Sequence, residues 1–475
     1  MTLKRNIFFR ADAGPTIGYG HFIRSLALAD MLKDDFDCVF YTQSPTDYQR
    51  KEAASICPLI ELPADDTRFE LFLNELTGNE IVVLDNYFYT TDYQRRIKEK
   101  GCKLVCIDDM HDKHYVADIV VNHAYGCHPR NYSTEPYTQL ALGLNYALLR
   151  KPFLNYSNEL KRNHILVCFG GADVYNLTCK TLHALETELS AYTVDIIIGD
   201  AFSYIAELEN IQKKHANIQV HKIISAQQMN MLMRQTLVAI LPASSVLWEA
   251  IFSGCKVLYG YYVDNQTDIC KNVGNNKELC LRYIGDFKEI SKEQLKNAFT
   301  EEIANDNVPQ FITPEVKENF VKLFKQEVTV REATQEDAHL YFEWANDPIV
   351  RQMSFHTDPI QWDDHINWFN TKINSSLSHL LICYQRTTPI GQVRFDILEG
   401  GQAEIDISIA KDFRGQGLGE AMLDAAMEYE RCMNGIDSFV AEVKEENLPS
   451  MRMFLANGFT QSKKINGICY LNNRK

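Results

Sequence analysis

The sequence lacks any long apolar run. Its 475 residues contain no stretch that approaches the roughly 18 to 20 apolar residues of a membrane-spanning helix. Near the N-terminus the apolar run from Ile7 to Phe9 is shorter than the apolar region of a signal peptide. We therefore expect a cytoplasmic protein that has no membrane partner.

Paired cysteines and an excess of positive charge are also missing. The 13 cysteines are an odd number and form no CxxC pair, which argues against a disulfide framework and against zinc ligation. We predict that no metal is needed. The formal net charge of −15 argues against a nucleic-acid groove. Small molecules remain as the expected partners, and nothing in the sequence indicates an oligomeric state.

Short apolar runs alternate with helical patterns up to about residue 300. Runs such as "NIFFRA", "EIVVLDN", "HILVCFGG" and "VAILP" are rich in β-branched residues and end in polar residues, Gly or Pro. This βαβα order predicts an α/β fold with doubly wound parallel sheets. A polar, basic break before His164 divides the region. We predict two Rossmann-like domains over residues 1–155 and 156–303.

The pattern changes after residue 303. Residues 304–327 contain two prolines and then a helical pattern of mixed charge, which indicates a linker followed by a helix. From residue 328 to 475 apolar and polar residues alternate along strands. That alternation predicts an α+β domain with an antiparallel sheet.

A glycine-rich turn stands out in this last domain. The strand "EIDISI" is followed by Arg414-Gly-Gln-Gly-Leu-Gly419 and then by a helical pattern. Glycines at 415, 417 and 419 let backbone N–H groups approach an anion, and the helix start adds its positive end. The turn therefore predicts a pyrophosphate-binding loop.

The segment resembles the GNAT superfamily of acyl-CoA-dependent N-acyltransferases. Arg414, Gly417 and Gly419 match its glycine signature, and Asn447 and Ser450 match its Asn-x-x-Ser segment. The resemblance implies an α+β acyltransferase that uses acetyl-CoA as co-substrate. The acetyl-CoA site that follows from it comprises Ile409, Arg414, Gly415, Gln416, Gly417, Gly419, Asn447 and Ser450.

The acid and the base of acyl transfer stay open. Many members of the superfamily have a Tyr as general acid where this sequence has Phe454. Glu404 and Asp406 on the preceding strand are candidates for the base, since a carboxylate can take an ammonium proton through a water molecule. The alternative is that both belong to a solvated strand face.

A second glycine-rich turn lies near the N-terminus, in "RADAGPTIGYGHFIRSL". A strand ends near Asp12, a loop with Gly18 and Gly20 follows, and a helix begins near His21. The positive end of a helix favours a neutral imidazole, which is the form that a general base requires. The alternative is a histidine that starts a helix and packs on the loop.

Two adjacent glycines follow the strand "HILVCF". Gly170 and Gly171 lead to a helix that begins near Asn176, an arrangement that can hold phosphate. The alternative for such residues is an ordinary turn and helix start.

Further polar residues follow the next two strands. Ser245 caps a helix, and Glu249 lies one turn in, where a carboxylate can accept from both hydroxyls of a ribose. Asn265 and Gln266 follow the next strand. The alternatives are a charge near a helix start and turn residues.

Residues 5 to about 290 resemble the UDP-2,4-diacetamido-2,4,6-trideoxy-β-L-altropyranose hydrolase family of pseudaminic acid biosynthesis, a GT-B-like pair of Rossmann-type domains. The resemblance implies that His21 activates water, that Asp12 orients His21 or holds the sugar, and that Tyr87 lies at the mouth of the site. The predicted UDP-sugar site comprises Gly18, Gly20, Arg24, Gly170, Gly171, Asn176, Ser245, Glu249, Asn265 and Gln266.

The two regions together predict a bifunctional enzyme. The C-terminal domain would acetylate UDP-4-amino-4,6-dideoxy-β-L-AltNAc, and the N-terminal region would then release UDP from the diacetamido sugar by hydrolysis. Two alternatives stay open for the N-terminal region: a GT-B glycosyltransferase, and a non-catalytic module that binds a sugar nucleotide.

Overall fold

A computed structural model of the chain describes residues 4–14, 18–154, 162–305, 307 and 315–474. Its contacts divide into two compact units. The first comprises Met1–Thr134 and Leu140–Lys322, and the second comprises Glu135–Gln139 and Leu323–Lys475. The predicted break at residue 155 lies outside the described residues, as do residues 306 and 308–314 of the predicted linker. The domain boundaries therefore stay predictions.

A parallel sheet of seven strands lies in the N-terminal part of the first unit. The strands of this part are β1 (Asn6–Arg10), β2 (Asp37–Gln43), β3 (Leu59–Leu62), β4 (Ile81–Leu84), β5 (Lys103–Ile107), β6 (His114–Tyr115), β7 (Ile119–Asn122), β8 (Ser133–Thr134) and β9 (Gln139–Leu142). The sheet has the order β3-β2-β1-β4-β5-β7-β9, and β6 pairs with β8 separately. The connecting helices are α1 (Gly20–Leu32), α2 (Asp47–Ala53), α3 (Thr67–Asn74) and α4 (Thr91–Glu99).

A second parallel sheet follows in the same unit. Its strands are β10 (His164–Val167), β11 (Thr193–Ile198), β12 (Ile218–Lys222), β13 (Thr236–Pro242), β14 (Lys256–Tyr261) and β15 (Leu281–Asp286), in the order β12-β11-β10-β13-β14-β15. The helices are α5 (Leu177–Ala184), α6 (Ile205–Lys214), α7 (Ala226–Gln235), α8 (Ser245–Phe252), α9 (Thr267–Val273), α10 (Lys292–Ala304) and α11 (Val316–Lys325).

The predicted doubly wound α/β fold is confirmed. β4 and β5 are buried along their whole length, as central parallel strands are. The winding reverses between β1 and β4 in one sheet and between β10 and β13 in the other. Ligands of such sheets bind outside the carboxyl ends of the strands at these reversal points. His21 follows β1, and Glu249 follows β13.

The second unit contains the predicted α+β fold. Its strands are β16 (Val328–Glu332), β17 (Ser378–Gln385), β18 (Thr388–Ile397), β19 (Ala403–Ile409), β20 (Ser438–Lys444), β21 (Thr460–Ile465) and β22 (Ile468–Arg474), in the order β16-β17-β18-β19-β20-β22-β21. Its helices are α12 (Ala338–Ala345), α13 (Pro348–Met353), α14 (Trp362–Ile373), α15 (Leu418–Asn434) and α16 (Leu448–Ala456).

One pair of strands in this sheet differs from the rest. The ladder between β19 and β20 is parallel, whereas those from β16 to β19 and those of β20 and β21 with β22 are antiparallel. β19 pairs with β20 only at Ala403 and Glu404. Beyond Glu404, no pairing between the two strands occurs in the described residues. The two strands therefore part at the end that carries Ile409.

The helices and the cysteines have two further properties. No helix in the described ranges has the length and apolar character needed to cross a membrane. The cysteines that the structure describes are free thiols, and all but Cys127 are buried.

Gly199, which follows β11, gives a stability prediction. A Cβ at this position would lie 2.6 Å from both Cα and O of Gly171, so Gly199→Ala has to displace the Gly170-Gly171 loop. We expect a loss of about 1–3 kcal/mol in the free energy of unfolding, measured by urea denaturation. Gly20→Ala is the control, because no atom lies within 4 Å of its Cβ position. Equal midpoints for Gly199→Ala and wild type would refute the close approach.

Candidate active sites

His21 lies in the first turn of α1, as predicted. It is buried, and its Nδ1 is 2.7 Å from Oδ1 of Asp85. Asp85 directly follows β4, the strand that pairs with β1. The reversal of winding between β1 and β4 therefore brings the histidine and the carboxylate together.

The charge on Asp85 fixes the proton on His21. Burial acts to raise the pKa of Asp85, but Arg24 and His21 outweigh it and hold this pKa well below its usual range. The ionised carboxylate only accepts hydrogen bonds, so Nδ1–H of His21 donates to it. The lone pair is then on Nε2, which is the tautomer that a general base uses.

Arg24 binds two carboxylates of the chain. Its Nε and Nη2 donate to Asp85 at 2.7 and 2.6 Å, and its Nη1 donates to Asp109 at 2.7 Å. The side chain is buried. Three of its five N–H donors are thus used by the two carboxylates, and the predicted contact of Arg24 with the UDP-sugar stays a prediction.

Asp12 does not orient His21. Both of its carboxylate oxygens pair with Arg10, and Oδ1 also accepts from the backbone N–H of Gln43 at 2.8 Å. The carboxylate that contacts His21 is that of Asp85 and not that of Asp12, and the alternative that Asp12 holds the sugar stays a prediction. Asp85 was missed, although an Asp at the end of an apolar strand was a signal that could have pointed to it.

The loop before α1 and Tyr87 surround His21. Gly18 has φ +83°, and the backbones of Gly14 and Gly18 bond to each other, while residues 15–17 lie outside the described ranges. The open space around Gly18 and Gly20 leaves room for a ligand. The ring of Tyr87 meets that of His21 edge-on at 4.7 Å and is 38% exposed. The roles of these residues stay predictions.

A second histidine, His123, was not found from the sequence. It is buried, its Nδ1 accepts from the N–H of Leu148 at 3.3 Å, and its ring is 6.0 Å from that of Trp248. Burial, together with the charge of Arg24, lowers the pKa of His123 to about 3. His123 is therefore neutral near pH 7.

The start of α5, which follows Gly170 and Gly171, already has an acceptor for its amides. Gly170 has φ +81°, and Asn176 begins α5 in the left-handed region. However, Asp173 accepts the N–H groups of Leu177 and Thr178, each at 2.8 Å. These two amides are therefore not available to a phosphate in this structure, and the predicted phosphate site stays a prediction for the backbone of Gly170 and Gly171.

The side chain of Asn176 is bound to another residue of the chain. Its Nδ2 donates to Oε2 of Glu207 at 2.7 Å. A phosphate-binding role for this side chain therefore has no support in the structure. Gly170 and Gly171 remain candidates through their backbone.

Glu249 is not a free carboxylate. It is buried, and its two oxygens accept from Nε and Nη2 of Arg150 at 2.6 and 2.7 Å. The sequence did not show this pairing with Arg150. Each oxygen keeps a further lone pair, so an added hydroxyl contact stays a prediction.

The helix that carries Glu249 begins at Ser245. Ser244 is the N-cap and makes no side-chain capping bond, while Ser245 is the first helical residue. Gln266 is buried and accepts from the N–H of Tyr262 at 3.0 Å, so it stabilises its loop. The side chain of Asn265 lies outside what the structure describes.

The glycine loop of the second unit is open. Gly415 and Gly417 have φ +76° and +77°, and nothing lies within 4 Å of a Cβ at either position. Gly417 directly precedes α15, and the first amides of a helix have no acceptor within it. Gly419 packs closely, since a Cβ there would lie 3.1 Å from Cδ1 of Ile409. Open left-handed backbone at a helix start fits the pyrophosphate of acetyl-CoA.

Polar side chains around this loop hold it in shape. Arg414 donates from Nε to the carbonyl of Ile409 at 3.0 Å, and Nη1 lies 2.9 Å from Oδ1 of Asp347. Gln416 donates to the carbonyl of Asp412 at 2.9 Å. The side chains of Arg414 and Gln416 therefore brace the loop, and contacts with the co-substrate through them stay predictions.

The Asn447 segment has a capping role. Oδ1 of Asn447 accepts from the N–H of Ser450 at 3.3 Å and so caps α16. On the same helix, Phe454 is buried and its ring lies 5.0 Å from that of Phe459. A side chain in this position without a hydroxyl cannot act as a general acid.

Carboxylates line β19 where it leaves β20. Glu404 is half-buried, and burial followed by the charge of Glu442 raises the pKa of Glu404. Asp406 is exposed and accepts from Nη2 of Arg394 at 3.3 Å. A carboxylate with a raised pKa is the better base near neutral pH. Of the two predicted candidates, the structure therefore favours Glu404.

These features define the class of the two regions. The acetyltransferase (GNAT) domain family matches residues 327–460. The chain therefore carries a GNAT acetyltransferase domain, which supports acetyl-CoA as its co-substrate. The region before it is an α/β pair of parallel sheets with a buried His–Asp pair behind a glycine loop.

Three relatives extend the comparison. An uncharacterized protein of Methanocaldococcus jannaschii is 24% identical, over 95% of this chain and 96% of that protein. The UDP-2,4-diacetamido-2,4,6-trideoxy-β-L-altropyranose hydrolase of Campylobacter jejuni is 28% identical, over 55% of this chain and 93% of the hydrolase. The spore coat polysaccharide biosynthesis protein SpsG of Bacillus subtilis is 26% identical, over 55% of this chain and 78% of SpsG. The chain thus joins a hydrolase-like region to a GNAT domain.

His123 makes the stability of the first unit depend on pH. Its pKa in the folded state, about 3, is below the unfolded value of about 6.5, so the unfolded state binds the proton first as the pH falls. We expect His123 to lower the free energy of unfolding by up to about 1.4 kcal/mol per pH unit between these values.

The variant His123→Asn, which keeps an acceptor for Leu148, should show a shallower decline in chemical denaturation from pH 6.5 to 4. His128→Asn is the control, because His128 is exposed. A decline as steep as that of wild type in His123→Asn would contradict the assignment.

Proposed function

We propose that this chain is a bifunctional enzyme of pseudaminic acid biosynthesis. Its second unit acetylates UDP-4-amino-4,6-dideoxy-β-L-AltNAc with acetyl-CoA, and its first unit releases UDP from UDP-2,4-diacetamido-2,4,6-trideoxy-β-L-altropyranose by hydrolysis. The observation that carries the proposal is the buried His21–Asp85 pair, in a region similar to a hydrolase of that substrate and joined to a GNAT domain. Free buried thiols agree with action in the reducing cytoplasm.

The tautomer of His21 defines the role of this residue in the proposed hydrolysis. Nε2 takes a proton from a water molecule, the water oxygen attacks the anomeric carbon, and the bond from that carbon to the phosphate oxygen breaks. UDP leaves with the electron pair, and the configuration at the anomeric carbon inverts. Asp85 stabilises the imidazolium that forms. The backbone of Gly170 and Gly171 and the start of α8 are the groups that would hold the diphosphate.

Acetyl transfer follows from the parting of β19 and β20. Acetyl-CoA supplies an activated acetyl group as a thioester, and the backbone from Gly415 to Gly419 would hold its pyrophosphate. Glu404 removes the ammonium proton of the amino sugar, directly or through water, so that the amine can form the amide bond. Since Phe454 carries no proton to donate, the thiolate leaves without help from this side chain.

The two reactions form a sequence. The product of acetylation carries the second acetamido group of the sugar that the hydrolase-like relative acts on. We therefore propose that acetylation precedes hydrolysis and that one chain performs both steps.

His21→Ala separates the two activities. We expect UDP release to fall by about a thousandfold or more, because the general base is lost, while acetylation stays at the wild-type rate. The assay supplies acetyl-CoA and UDP-4-amino-4,6-dideoxy-β-L-AltNAc and measures free CoA and free UDP. If neither product appears with wild type, the proposed function fails.

The same assay distinguishes the alternatives. UDP release that depends on an added acceptor sugar would indicate a glycosyltransferase. Tight binding of the UDP-sugar without release of UDP would indicate a binding module. Equal loss of both activities in His21→Ala would contradict separate sites.

Glu404→Gln tests the base of acetyl transfer. The wild-type kcat/KM for acetylation should rise with pH as Glu404 loses its proton, in a range above the usual carboxylate value because burial raises its pKa. We expect Glu404→Gln to lower kcat by about a hundredfold and to remove this part of the pH profile. Asp406→Asn is the matched control on the same strand, and a larger loss in it would assign the base to Asp406.

A further inference from the structure

Helix α13 borders the opening between β19 and β20. Its N-cap, Asp347, pairs with Arg414 of the glycine loop at 2.9 Å. Near its other end, the carbonyl of Gln352 accepts from Nζ of Lys444, the last residue of β20, at 3.1 Å. The helix is therefore held at both sides of the opening, by the loop that follows β19 and by the end of β20.

Among the described residues, Arg351 on this helix has no carboxylate partner. Its Nη1 donates to the carbonyl of His356 at 3.2 Å and its Nη2 to Oγ of Ser354 at 2.9 Å, both neutral groups. Its Nε is buried and has no hydrogen-bond partner in the described part of the chain. Among the same residues, no carboxylate lies within 4.0 Å of the guanidinium.

The surroundings of Arg351 leave its positive charge only partly balanced. Burial lowers the pKa of Arg351, and the charge of Asp406 offsets this only in part. A partly buried guanidinium prefers an ionic partner that accepts hydrogen bonds, and phosphate oxygens fit its planar geometry. The other arginine at this opening, Arg414, differs because Asp347 already pairs with it.

The opening thus presents charges of both signs. Glu404 and Asp406 on β19 are suited to an ammonium group, whereas Arg351 is suited to an anion. A nucleotide-linked amino sugar carries both groups, an amine on its ring and a diphosphate on its anomeric carbon. A free amino sugar carries the amine alone.

We propose that Arg351 forms an anion subsite that binds the diphosphate of the sugar nucleotide during acetyl transfer. The subsite makes the second unit selective for nucleotide-linked amino sugars over free ones. This inference rests on the proposed function and names a specificity determinant that is separate from the pyrophosphate loop at Gly415–Gly419.

The test compares two acceptors in the full chain. CoA release is measured with UDP-4-amino-4,6-dideoxy-β-L-AltNAc and with the same amino sugar without UDP. For Arg351→Met we expect the KM of the UDP-sugar to rise at least about tenfold, the loss of one charge-assisted contact, with the KM of the free sugar and of acetyl-CoA unchanged. Arg351→Lys should lie between wild type and Arg351→Met, since it keeps the charge but loses the fork of donors.

Two controls accompany the variants. Arg386→Met removes an exposed arginine in the turn between β17 and β18 and should leave all three KM values unchanged. UDP release from the diacetamido sugar by Arg351→Met should equal that of wild type, which shows that the preparation is folded.

Three results would overturn the subsite. These are an unchanged KM for the UDP-sugar in Arg351→Met, an equal loss with both acceptors, and a rise in the KM of acetyl-CoA, which would place Arg351 against the co-substrate. In all three the wild type still acetylates the UDP-sugar, so the proposed function stands. If wild type acetylates neither acceptor, the proposed function itself fails and the subsite fails with it.

Discussion

The carboxylate of Asp85 is the group on which the candidate site of the first unit depends. It is fully buried, and a buried charge is costly unless it is paired and hydrogen-bonded. Arg24 supplies the paired charge, while His21 and Ser25 supply further donors. Removal of Arg24 would leave an uncompensated charge beneath His21. The general-base tautomer is thus a consequence of how this one charge is compensated.

Pairing of charges also separates residues that shape the sites from residues that face ligands. In the first unit the side chains of Asp12, Arg24 and Glu249 are each bound by an opposite charge of the chain itself. These pairs stabilise the loops and helices that carry them. In the second unit Arg351 lacks such a partner among the described residues, and an unbalanced charge next to an opening is suited to a charged substrate.

In the second unit, the separation of β19 from β20 shapes the candidate site. A sheet normally satisfies its backbone groups through neighbouring strands. β19 and β20 keep this pairing at Ala403 and Glu404 and lose it beyond, which leaves an edge inside the sheet. That edge, the glycine loop and α13 surround one opening.

The sequence by itself determined the elements and their class. Short β-branched runs predicted the parallel strands, alternation predicted the antiparallel sheet, and the glycines at 415 and 417 take the left-handed backbone expected of them, because all of these signals are local. The sequence also placed His21 at a helix start. It could not show which charged groups meet, because the partners are distant along the chain.

Only the tertiary structure decided the pairing. Asp85 and His21 are 64 positions apart in the sequence. They meet because β4 lies beside β1, while β2 and β3 lie on the other side of β1. Arg150 and Glu249 are 99 positions apart and also meet. The pairing of Asp12 with Arg10 and of Glu249 with Arg150 was not predicted, because a sequence shows a carboxylate but not the arginine that neutralises it. The physical reason is that burial makes an unpaired charge costly, so the fold selects partners by proximity in space.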